Sequence, residues 1–74
     1  MPIVHDFGNF QIYIYFRDHG EPHFHVVAPD YEAKVSINNP AILAGELPSG
    51  VLRKVRRWAV AKRAMLISRW NEQN

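Results

Sequence analysis

A change of period constrains this chain most. From Phe10 to Ile37 apolar residues fall mainly at every second position, and from Val51 to Trp70 at every third or fourth. Alternation at two marks strands with one buried face, and spacing near 3.6 marks an amphipathic helix. Strands first and a helix last predict a small α+β fold: an antiparallel meander of about four strands, with one long C-terminal helix packed on one face. Seventy-four residues suffice for one domain, read as residues 1–74.

In chain order, Ile3-Val4 reads as a short strand, followed by a tight turn in which Gly8-Asn9 supply positive φ. Phe10 to Arg17 is the clearest strand, with Phe10, Ile12, Ile14 and Phe16 inward. His23 to Ala28 forms the third strand, with Phe24, Val26 and Ala28 inward. Pro29-Asp30 suits a type I turn, and because Pro29 excludes type I′, a bulge is expected in this hairpin. Tyr31 to Asn38 is the fourth strand, with Tyr31, Ala33, Val35 and Ile37 inward. A two-residue hairpin register would set His25 opposite Lys34 and His23 opposite Ser36. Ala41 to Glu46 reads as a connection, and a helix begins near Pro48 or Ser49, the serine being able to cap it. Leu52, Val55, Ala59, Leu66 and Trp70 form its inner stripe, flanked by Val51, Trp58 and Met65.

Charge is divided along the chain. Up to Glu46 six carboxylates face only Arg17 and Lys34, a formal −4, whereas from Leu47 seven bases face Glu72 alone, a formal +6. Such a split suits an acidic partner or nucleic acid, and equally a solvated arginine-rich helix face. On the outer side of the helix Arg53, Arg56, Arg57 and Arg63 surround Val60, Ala64 and Ile67. An apolar strip framed by arginines is expected to be a contact surface for a second subunit or an acidic protein partner. There is no cysteine, which suits a reducing cytoplasm and leaves no thiolate metal site. The N-terminus lacks a signal-peptide pattern, and no run is long enough to cross a membrane, so a cytoplasmic location is expected.

The chemistry-bearing stretch runs from Arg17 to Val26 and holds three of the four histidines. His23 and His25 share one strand face, and Asp18 and His19 arrive from the preceding turn. Three readings of these residues are open. In the first, Asp18, His19, His23 and His25 organise the fold, with the strand histidines satisfied by Tyr15 or Ser36. In the second, His19, His23 and His25, or Asp18 in place of His19, hold a metal ion. In the third, His23 or His25 acts as general acid or base in metal-independent RNA cleavage. There Lys34 or Arg17 stabilises charge on phosphate, and Tyr13 and Tyr15 stack on bases. No catalytic residue and no cofactor is assigned on this basis, and His5 is read as an ordinary edge residue.

The run Tyr13-x-Tyr15-Phe16-x-Asp18-His19-x-x-Pro22-His23-Phe24-His25-Val26 resembles the signature of a bacterial family known as domain of unknown function 4160. The likeness continues through Tyr31-Glu32-Ala33 and Ala44 to Pro48, and on to the helix of Trp58 and Trp70. The resemblance implies a small bacterial protein, often encoded beside another small protein and suspected of belonging to toxin–antitoxin-like pairs. It carries no catalytic residue across. Glu21 stands where a second proline is usual, and Lys62-Arg63-Ala64-Met65 replaces a run that carries acids in the family. The functional expectation is a non-enzymatic interaction or regulatory module, with a small ribonuclease or metal-binding enzyme as the alternative.

Overall fold

A computed structural model describes residues 3–74. Met1 and Pro2, where the signal-peptide reading begins, lie outside them. Five strands, β1 (Ile3–Asp6), β2 (Gln11–Tyr13), β3 (His23–Val27), β4 (Glu32–Ser36) and β5 (Ile42–Gly45), form one antiparallel sheet in chain order. Helices α1 (Ser49–Ala61) and α2 (Arg63–Gln73) follow. The alternating side chains Ile12, Phe24, Val26, Ala33 and Val35 build one face of the core, which Val55, Ala59, Leu66 and Trp70 complete from the helices. Each large side chain so buried contributes roughly 1.5–3 kcal/mol before entropy is subtracted.

The β1–β2 turn is closed locally. Gly8 adopts φ 93°, and its N–H donates to Asp6 Oδ1 at 2.7 Å. Asn9 keeps negative φ, so glycine alone supplies the left-handed residue. Phe7 stacks on Phe10 and meets Trp58 edge-on, which ties this turn to α1. His5, exposed on the edge strand, lies against the rings of Phe7 and Trp58.

The β3–β4 register is the expected one, with His25 opposite Lys34 and His23 opposite Ser36. The expected bulge is absent from this hairpin, where the Ala28 N–H bonds the Tyr31 carbonyl and the ladder runs unbroken to His23. Irregularities fall instead between Ile3 and His5 on β1 and between Lys34 and Val35 on β4.

Other expectations are corrected. The segment read as a connection supplies a fifth strand, Ile42–Gly45, because β4 still has a free edge to pair. Its end is set by Gly45 at φ 81°, where a Cβ would overlap the Glu32 carbonyl oxygen. The second strand stops at Tyr13, and Phe16 is 64% exposed, not inward. The chain turns away at Arg17, which takes φ 53° and donates its N–H to the Gln73 carbonyl at the end of α2.

The single long helix is two helices joined at Lys62, whose φ of −109° and ψ of 18° break the repeat. The Lys62 N–H closes α1 on the Trp58 carbonyl, and its own carbonyl accepts from Leu66 to start α2. No glycine or proline marks that break, so the periodicity reads straight through it. The break turns Ile67 towards the core, whereas an unbroken helix would have left it outside with Val60 and Ala64. Pro48, not Ser49, occupies the N-cap of α1, and no side chain caps it.

Candidate functional site

The loop between β2 and β3 brings Asp18 back over the first residues of β3. Alternation puts His23 and His25 on the sheet face opposite Phe24 and Val26. Asp18 Oδ2 lies 2.7 Å from His23 Nε2 and 3.1 Å from His25 Nε2. Its other oxygen, Oδ1, accepts the His19 N–H at 3.0 Å. His23 is 1% exposed, its ring 4.9 Å from that of Trp70, and its Nδ1 donates to the Glu21 carbonyl at 2.8 Å. The Glu21 carboxylate in turn accepts from Ser36 Oγ at 2.8 Å. His23 is therefore satisfied by Asp18 and Glu21, not by Tyr15 or Ser36.

The loop is fastened from the far end of the chain. Asn74 Oδ1 accepts the Asp18 N–H at 2.6 Å, and Asn74 Nδ2 donates to the carbonyls of Trp70 and Tyr15. The Arg17 N–H adds to this by giving the Gln73 carbonyl a partner that the helix itself cannot supply.

Electrostatics follows this geometry. Burial alone would raise the Asp18 carboxyl, but hydrogen bonds from His25, His23 and the His19 backbone outweigh it and hold the carboxyl down to about 2. Burial pushes the Tyr15 hydroxyl up, with Glu32, Tyr13 and Asp18 adding to the effect.

The expected site residues separate into groups. Asp18, His23 and His25 converge, and Tyr15 joins them with its ring 4.6 Å from His25. Tyr13 stacks on Tyr15 with centroids 5.8 Å apart. Lys34 lies beside His25 on a shallow hollow of about 200 Å³ that Glu32, Ala44 and Gly45 complete. His19 is exposed and only its backbone meets Asp18, so the donor set that converges excludes it. Arg17 is exposed, and its backbone shapes the loop. Glu21 and Asn74 are contributors that the sequence reading missed. Glu21 contributes a backbone carbonyl that no sequence pattern marks, and Asn74 lies 56 residues from its partner with no local signal.

A second surface lies on α1. Ser49, Leu52, Arg53, Arg56 and Arg57 line a shallow groove of about 390 Å³, and Val60, 66% exposed, continues the same stripe. Among the described residues no lysine or arginine has a carboxylate within 4.0 Å. Arg63 is engaged differently, donating from Nη2 to Asn38 Oδ1 at 2.8 Å, which ties the start of α2 to the loop after β4.

These features define a small α+β protein with a carboxylate–dihistidine cluster on one sheet face and a basic groove on its first helix. The chain belongs to the family described as Domain of unknown function (DUF4160), whose model matches residues 9–71. No curated protein and no solved structure matches it. No helix among the described residues is long and apolar enough to cross a membrane.

Proposed function

We propose that the protein is a non-enzymatic interaction module that seats an acidic protein segment along the outer face of α1. The observation that carries this reading is the groove itself, where Arg53, Arg56 and Arg57 flank Leu52 without a carboxylate partner among the described residues. Arg53 stands three and four residues from Arg56 and Arg57, spacings at which like charges on a helix cost roughly 0.2–0.5 kcal/mol per pair. A partner that brings carboxylates to these guanidiniums and an apolar side chain to Leu52 and Val60 relieves that repulsion and covers exposed apolar surface. The formal −4 and +6 halves of the chain give the charge complementarity its direction. In this reading the protein is one half of a two-protein regulatory pair, of toxin–antitoxin-like kind, in a bacterial cytoplasm.

The experiment is native mass spectrometry of the protein gently isolated from its host, beside the Arg53→Glu, Arg57→Glu double variant. A stoichiometric protein partner, lost from the variant and dissociated by salt, is the expected result. A partner held equally by the variant would sink the proposal. Recovery of RNA or DNA in place of protein would reassign the groove to nucleic acid.

A further inference from the structure

We infer that Asp18, His23 and His25 form a binding site for one divalent first-row transition-metal ion. His23 is the most enclosed of the three, with both ring nitrogens engaged. Its Nδ1 faces the Glu21 carbonyl at 2.8 Å, and a carbonyl oxygen only accepts, so the hydrogen sits on Nδ1. In a neutral ring Nε2 then presents a lone pair, and what it faces at 2.7 Å is the Asp18 carboxylate, a second pure acceptor. Two lone pairs at that distance repel unless a cation lies between them, either a proton on the ring or a metal ion. His25 Nε2, 3.1 Å from the same oxygen, aims a third donor at the same point.

The arrangement also meets the requirements of a metal ion. All three donor atoms lie within 4.8 Å of one another. Zinc bonds of about 2.0–2.1 Å in a tetrahedral site separate ligand atoms by about 3.3 Å, so the contacts at 2.7 and 3.1 Å open by about 0.6 and about 0.2 Å to admit the ion. The surroundings already orient the ligands. The Glu21 carbonyl fixes the His23 tautomer that leaves Nε2 free to coordinate, the usual outer-shell device for a metal-bound imidazole. Asp18 spends Oδ1 on the His19 N–H and leaves Oδ2 for the ion, while Asn74 holds its backbone. His25 and Asp18 keep 15% and 23% of their side chains exposed, so the ion has a route in and a coordination position open to water. Two imidazoles and one carboxylate suit a borderline ion such as zinc, not magnesium or calcium.

The test uses the untagged full chain, titrated with zinc chloride by calorimetry and with cobalt(II) followed by its visible absorption. One ion per chain is expected. His25→Ala and Asp18→Asn should each weaken binding by about tenfold or more, with circular dichroism confirming the fold. The variant His5→Ala, His19→Ala, which removes the exposed histidines, should bind as the parent does. No binding to the parent chain would overturn the inference. So would affinity unchanged in folded Asp18→Asn and His25→Ala, or affinity lost with His5 and His19.

Discussion

Two glycines give opposite expectations for one chemical change. Gly45 holds φ 81° where β5 meets β4, and a methyl group there would overlap the Glu32 carbonyl and come within 2.9 Å of Ala33 Cα. Gly45→Ala should lower stability by about 2 kcal/mol or more, since both the dihedral angle and the contact oppose it. Gly50 lies in the first turn of α1 with open space around it, so Gly50→Ala should raise stability by about 0.5–1 kcal/mol. Urea denaturation of the two variants measures both. Asp18 makes the fold sensitive to acid. Its carboxyl moves from 3.8 to about 2 on folding, so its contribution is complete above the unfolded value and is lost as pH falls through the folded one. Between about pH 4 and about pH 2 the urea midpoint should therefore fall more steeply for the parent chain than for Asp18→Asn. Parallel curves would show that the carboxylate adds nothing to stability.

Among the elements, α2 matters for what its last turn holds. Asn74 and the Gln73 carbonyl clamp the backbone at Asp18 and Arg17, and Arg17 sits at φ 53°, a conformation that costs a non-glycine residue roughly 1–2 kcal/mol. Asn74→Ala should leave the sheet intact and accelerate hydrogen exchange at the Asp18 amide, while amides in the β3–β4 ladder stay protected. Strands β3 and β4 were legible in the sequence because a half-buried strand writes its two faces into alternate residues. The opposition of His25 to Lys34 and of His23 to Ser36 then followed from a short turn. The fifth strand was not legible, since Ile42-Leu43-Ala44-Gly45 is mostly exposed and too short to show a period. The break at Lys62 was equally silent, because lysine is a good helix former and neither glycine nor proline stands beside it. Of the site, the two strand histidines could be read from their spacing. The clamp by Asn74 could not, as nothing local couples residues 56 apart.

Over the whole molecule the two layers carry opposite charge, acidic in the strands and their loops and basic in the helices. With no lysine or arginine ion-paired among the described residues, the helical layer repels itself in the free chain. Added salt should therefore raise the melting temperature of the isolated protein modestly. The same salt should weaken the complex with an acidic partner, so one titration moves the two quantities in opposite directions. If salt left the melting temperature unchanged or lowered it, the arginine groove would not be under electrostatic strain.

The clamp also sets an order of assembly during synthesis. A ribosome releases the sheet residues first, and hairpins between neighbouring strands can close as they emerge, because each pairing is local in the chain. The loop bearing Asp18 is made early as well, yet the residues that fasten it come 56 positions later. Until α2 has emerged and docked, His23 lacks the Trp70 ring beside it and the Asp18 loop has no anchor. The nascent protein can thus begin to pair its strands before the site is complete, because the contact that fastens the Asp18 loop is the last to be made.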